Sequence, residues 1–237
     1  MRTGEHELGY LARPDRGTHP GVVMIHDVWG LADHTRDLAR RLAAEGFCVL
    51  AVDLYRRLDA TEIADPGVFM RELSDPQALE DIQACVDALL AREDTRGPRV
   101  GVTGFCMGGM YALMAGCACR NVGAVVPYYG LLSHAHGILY GEGGLDPEKK
   151  PRAPLDYVED LGCPLLGFFG AEDDFIPLPD LRELENRLGK TAWDTAVVVY
   201  EGAGHAFMND TRPQTYHPGA ASDAWPRTTD FLRNNLA

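Results

Sequence analysis

Gly104-Phe105-Cys106-Met107-Gly108-Gly109 is the stretch on which the reading of this chain turns. Arg99-Val100-Gly101-Val102-Thr103, just before it, reads as a short buried strand. Residues 110–119, just after it, are rich in Ala, Leu and Met and read as a helix. A strand, a sharp turn and a helix with a cysteine at the tip make the pattern G-x-C-x-G, a nucleophile elbow with a thiol in place of the hydroxyl. The glycines have a physical reason: a residue held at so tight a tip is strained, and its neighbours two positions away must be small. The helix that follows directs free N–H groups and its positive dipole end at the sulfur, which favours thiolate and stabilises an oxyanion beside it. Alone, the hexapeptide fits equally well a glycine-rich turn around a buried, inert cysteine. The rest of the chain decides between the two.

At 237 residues the chain is expected to form one α/β domain over 1–237. A hydrophobic fraction of 46% is that of an ordinary globular protein. No apolar run approaches the ~20 residues of a membrane span, and Met1-Arg2-Thr3-Gly4-Glu5-His6-Glu7 lacks the apolar core of a secretory signal. A net charge of −13 opposes nucleic acid and anionic membrane surfaces as partners. The six cysteines, Cys48, Cys85, Cys106, Cys117, Cys119 and Cys163, form no CxxC and no zinc spacing, which fits reduced thiols in the cytoplasm. A monomer or small homo-oligomer is expected.

Outward from the elbow, short apolar runs predict strands over 21–25, 47–52, 123–128, 164–169 and 196–200, and an edge strand over 6–12. Helices are predicted over 33–45, 179–188 and 222–236, near 68–73, and from Asp75-Pro76, read as an N-cap and first-turn pair, through Leu90. Residues 130–161 read as a long irregular segment, the kind that often covers a functional site. The strand–helix alternation implies a mostly parallel central sheet with helices on both faces, and ligands then sit beyond the carboxyl ends of its strands.

Two further loops lie just after predicted strands. Gly170-Ala171-Glu172-Asp173-Asp174-Phe175-Ile176-Pro177 supplies carboxylates, and Glu201-Gly202-Ala203-Gly204-His205-Ala206-Phe207 supplies a histidine among small residues. A cysteine nucleophile needs a base, and the base needs an orienting acid. Nucleophile, acid, histidine is the chain order of α/β-hydrolases. His134-Ala135-His136 has no third ligand at a recognisable spacing, so no metal is expected. His26 reads as a packing or capping residue beside Asp27, and Trp29 and Tyr128 as possible walls of a pocket.

These three segments, with His26–Gly30, Asp53-Leu54-Tyr55 and Tyr128-Tyr129-Gly130, resemble the dienelactone hydrolase (carboxymethylenebutenolidase) family over nearly the whole chain. The resemblance implies an α/β-hydrolase fold and hydrolysis of a small ester or lactone without a cofactor. It makes Cys106 the nucleophile, His205 the base and Asp173 the orienting acid. It assigns the oxyanion hole to the backbone N–H groups of Met107 and Val28. It also makes Asp27 the carboxylate that restrains the resting thiol, a position where well-studied members carry the longer glutamate. Trp29, Tyr128, Phe207, Asn209 and Arg71 are expected around the substrate. Asn209 stands where those members place a substrate-gripping arginine, so Arg56, Arg57, Arg71 or Arg212 would have to take that task. A broad esterase or thioesterase on the same scaffold is the alternative enzyme. A small-molecule binding protein that kept the pocket is the alternative of another class.

Overall fold

The computed structural model describes residues 1–58, 65–135, 137–140 and 145–236. Its strands are β1 (Arg2–His6), β2 (Gly9–Arg13), β3 (His19–Ile25), β4 (Cys48–Val52), β5 (Thr95–Phe105), β6 (Val122–Tyr128), β7 (Leu165–Gly170) and β8 (Thr195–Tyr200). Its helices are α1 (Asp33–Ala44), α2 (Pro66–Glu72), α3 (Asp75–Leu90), α4 (Met107–Ala118), α5 (Pro154–Tyr157), α6 (Leu178–Leu188) and α7 (Pro218–Asn235). The strands form one sheet in the order β1-β2-β4-β3-β5-β6-β7-β8. The β1/β2 and β2/β4 pairs are antiparallel and the rest parallel.

The central strands are continuous apolar runs because both of their faces are covered. Every residue of β4 and β6 is buried. α1 and α7 lie on one face, tied by the Arg233–Glu45 ion pair. α3 and α4 lie on the other. α1 buries Leu38, Ala39 and Leu42 at helical spacing, whereas α4 is buried over Met107–Gly116, the mark of a helix enclosed on all sides. Among the described residues, no helix is long and apolar enough to cross a membrane.

Three expectations change. The edge strand over 6–12 is instead a hairpin, with His6 opposite Gly9. Gly9 lies so close to β4 that a Cβ there would sit 2.0 Å from the Ala51 carbonyl oxygen. β5 runs well beyond 99–103, because Thr95 and Arg96 pair with His19 and Pro20 through the backbone without an apolar signal. And Asp75 does not cap α3. Ser74 does, its Oγ accepting from the Gln77 N–H at 3.5 Å.

Asp75 is instead completely buried. Its Oδ1 accepts from the Tyr111 hydroxyl at 2.6 Å and lies 2.5 Å from Lys150 Nζ, which is equally buried. Burial pushes the Lys150 ammonium below its ordinary value, against the pull of Asp75. The Asp75 N–H also donates to the Lys149 carbonyl at 2.8 Å. Removing one partner of such a pair costs about 3–5 kcal/mol, since the other is left charged in the interior. The cluster thus fastens the segment before α5 onto α3 and α4. The stretch expected to be irregular over 130–161 accordingly contains α5 and short 3-10 turns at Gly137–Leu139 and Val158–Asp160. Its residues 136 and 141–144, and residues 59–64 before α2, lie outside the described residues, and the His134/His136 pair with them.

Candidate active site

β5 ends at Phe105 and α4 starts at Met107, so Cys106 alone makes the reversal, at φ 56° and ψ −116°. That is a strained conformation for a residue with a Cβ. The surrounding glycines make it possible by close approach. A Cβ on Gly104 would sit 2.1 Å from the Gly108 oxygen, one on Gly108 2.3 Å from the Ile25 oxygen, and one on Gly109 2.3 Å from the Tyr128 oxygen. The expected helix start at 110 is therefore three residues late. Gly108 and Gly109 belong to the first turn of α4, where a missing Cβ lets the helix settle onto the ends of β3 and β6. The Met107 N–H, first in the helix, has no carbonyl one turn back to accept it.

The acid and histidine loops follow β7 and β8 and are bolted to each other. The Ala171 N–H donates to the Tyr200 carbonyl and the Glu172 N–H to the Ala203 carbonyl, both at 3.0 Å. A Cβ on Gly170 would fall 2.2 Å from that Ala203 oxygen. This brings His205 Nδ1 to 2.8 Å from Asp173 Oδ2. The Asp173 side chain is fully buried, and its Oδ1 accepts from the Phe175 N–H at 2.9 Å. Asp174 is exposed. Burial works against a charge on the His205 ring, but the Cys106 sulfur and the Asp173 carboxylate outweigh it and push the imidazole up to about 10. The rings of Tyr129 and Phe175 meet His205 edge-on at 5.2 and 4.9 Å.

Cys106 and His205 share a cavity of about 220 Å³. Val28, Trp29, Leu131, Ile138 and Phe175 give it apolar walls, and Asp27 and Arg212 also line it. Of the residues expected around a substrate, Trp29 lines this space. Tyr128 and Phe207 do not: both are completely buried. Tyr128 stacks between Phe105 and Phe168, with its hydroxyl 2.5 Å from Thr228 Oγ1, and Phe207 packs against Tyr129 and Tyr200. Arg71 donates to the Ile138 carbonyl at 2.9 Å and so braces a wall from behind. Arg56 and Arg57 both bind Asp81. Asn209 is a buried loop staple whose Oδ1 accepts from the Thr211 N–H and hydroxyl. Arg212 is the arginine that reaches the cavity, 5.0 Å above the Trp29 ring.

After β3, His26 is fully buried. Its Nε2 accepts from the Leu54 N–H at 3.1 Å, which leaves Nδ1 to donate to the Asp27 carbonyl at 2.6 Å. Desolvation lowers its pKa. It is thus a neutral staple between two strand ends, as its capping role anticipates. Asp27 Oδ1 accepts from the Trp29 N–H at 2.9 Å, a turn within its own loop, while the residue still faces the cavity shared with Cys106. Tyr55 went without a role in the sequence reading. Its hydroxyl donates to the Val28 carbonyl at 3.0 Å and lies 3.4 Å from the Met107 sulfur, bridging the two segments beside the elbow. Phe175 and Tyr129 were also missed. Tyr129 adjoins Tyr128 and Phe175 lies two residues from Asp173, which is the available signal.

Sheets of this order, with reactive loops gathered at the carboxyl ends of their parallel strands, are α/β-hydrolase folds, and the architecture assigns the chain to that class. The family model for the dienelactone hydrolase family matches residues 8–236, and the chain belongs to that family. It is 32% identical to an Escherichia coli (strain K12) protein named as a candidate carboxymethylenebutenolidase, over 97% of this chain and 83% of that one. It is also 32% identical to a Bradyrhizobium protein named as a candidate 2-oxo-3-(5-oxofuran-2-ylidene)propanoate lactonase, over 98% and 91% of the two chains. A crystal structure of a candidate dienelactone hydrolase from Klebsiella pneumoniae superposes with a TM-score of 0.85 at 31% identity, covering 98% of each chain. The protein is a hydrolase of the ester or lactone type.

Proposed function

We propose that the chain acts as one catalytic domain that opens a small ester or lactone through an acyl-cysteine intermediate, in the reducing setting that its six free cysteines suit. The observation that carries this reading is the Asp173–His205 hydrogen bond of 2.8 Å beside a cysteine at φ 56° in the same cavity. The thiol proton passes to His205, whose pKa of about 10 belongs to the ring paired with the negatively charged sulfur, and the Cys106 sulfur of that pair adds to the ester carbonyl. The N–H groups of Met107 and Val28 hold the oxyanion. Collapse breaks the acyl–oxygen bond, and the departing alkoxide takes the proton from His205. Water, deprotonated by His205, then adds to the thioester, and collapse returns the thiol and releases the acid. Asp173 fixes the ring and supports its charge throughout.

The test is a chromogenic ester such as p-nitrophenyl butyrate. An initial burst equal to the enzyme concentration is expected, with a butyryl mass increase on the peptide containing Cys106. Iodoacetamide should abolish both. Turnover without a burst or adduct, insensitive to alkylation, overturns the covalent reading.

Asp27 is proposed to restrain the resting thiol. Both residues line the same cavity, and one Asp27 oxygen serves its own loop, which leaves the other for the thiol. Asp27→Asn should then raise the rate of iodoacetamide labelling of Cys106 near neutral pH severalfold. Unchanged labelling, with circular dichroism showing the fold intact, removes Asp27 from the mechanism.

A further inference from the structure

A second hollow opens beside the first. Asp27, Trp29 and Arg212 line the cavity of Cys106 and His205, and the same three residues line a neighbouring depression of about 360 Å³. Across that shared wall the chemistry changes from apolar to polar. Asp33, His34 and Thr35, from the start of α1, face Asn209 and Thr211, from the loop after His205. Thr35 and Asn209 are buried, and Arg41 ties the two segments together by binding Asp210 at 2.7 Å.

The valences of these groups define what would fit. Asn209 Oδ1 is taken twice by Thr211, so the amide nitrogen is left as a donor. His34 Nδ1 is a buried ring atom with no hydrogen bond among the described residues, and lies 3.9 Å from Asp210 Oδ1. Burial lowers its pKa, so at neutral pH the ring is uncharged, a donor on one nitrogen and an acceptor on the other. Arg212 adds a guanidinium at the shared wall. Against these stand the carboxylates of Asp27 and Asp33, which only accept. The two carboxylates oppose an anion, and Arg212 offsets part of their pull on a cation. A neutral group carrying several hydroxyls donates to one set and accepts from the other.

We infer that the second hollow holds the alcohol portion of the substrate, a neutral polyhydroxylated leaving group of the glycerol or sugar type, while the acyl chain fills the apolar cavity at Cys106. This rests on the acyl-cysteine reading, and it names the substrate class of the same site. The balance of the step is unchanged: the acyl–oxygen bond breaks, the acyl group stays on sulfur, and the polyol leaves with the proton from His205.

The test compares butyrate esters that differ only in the alcohol: propyl, glycerol, glucose and lactate. Two or three hydrogen bonds made by hydroxyls predict kcat/KM at least about tenfold higher for the glycerol or glucose ester than for the propyl ester. Asn209→Ala and the near-isosteric Thr35→Val should each reduce that ratio severalfold. A ratio is insensitive to partial loss of folded enzyme. No preference in the wild type, or a preference that both variants retain, overturns the inference. A lactate ester favoured as strongly as glycerol also overturns it, because charge would then be what the hollow reads. The p-nitrophenyl butyrate burst separates the two layers. A burst without polyol preference sinks only the subsite, whereas no burst sinks the acyl-cysteine reading beneath it.

Discussion

Cys106→Ala is expected to reduce turnover to background while leaving the circular dichroism spectrum unchanged. The side chain it removes is the thiol at the tip of the elbow, at φ 56°. The cavity offers no replacement nucleophile, since Cys106 is the cysteine among its described lining residues. The other thiols are also held in their neutral form. Burial pushes Cys117, Cys119 and Cys163 up to about 12 and raises Cys48 and Cys85 as well. Cys117 donates to the Leu113 carbonyl and Cys119 to the Leu79 carbonyl, so both act as packing residues at the C-terminal end of α4. Cys117→Ala and Cys119→Ala should accordingly keep rates within a few-fold of the parent. Wild-type activity in Cys106→Ala would refute the catalytic assignment outright.

Asp173→Asn should lower kcat by orders of magnitude, about 10⁴-fold by the precedent of orienting acids elsewhere. Geometry gives the reason. Oδ1 of Asp173 is committed to the Phe175 N–H, so an asparagine oxygen would keep that place and turn its NH₂ toward His205 Nδ1. The ring would then have to accept at Nδ1 and carry its proton on Nε2, where it can no longer take one from the thiol. The imidazolium would also lose a carboxylate that supports it, so its pKa should fall from about 10. As pH rises, the charged ring of the variant should therefore be lost earlier than in the parent, a change visible by NMR. Asp174→Asn, at an exposed neighbour, should stay within a few-fold. The reverse ranking would move the acid by one residue and break the match to the family order.

Much of this molecule was legible without coordinates because its signals are local. The apolar runs of β3, β4 and β6, the amphipathic spacing of α1 and the order of elbow, acid loop and histidine loop each depend on a few neighbouring residues. The G-x-C-x-G pattern reports a steric requirement that the missing Cβ atoms of Gly104 and Gly108 satisfy. The helix expected from 110 nevertheless begins at Met107. Gly108 and Gly109 are helical, because the contacts that demand glycine come from Ile25 and Tyr128 on neighbouring strands.

The walls of the cavity were a different matter. Tyr128 and Tyr129 are adjacent and chemically alike, yet the first is locked among core rings and the second touches His205. Of four candidate arginines, Arg56, Arg57 and Arg71 are claimed by Asp81 and Ile138, and Arg212 reaches the cavity from the far side of the histidine loop. Asp75 looks like a helix cap, and becomes half of a buried ion pair only because Lys150, 75 residues away, folds back onto it. The amino-acid sequence by itself determined the central strands, the elbow and the order of the loops that follow them, because backbone sterics and hydrophobic periodicity act over a turn or a strand. Tertiary structure alone decided which rings and which cation face the cavity of Cys106 and His205, because that depends on how distant segments pack together.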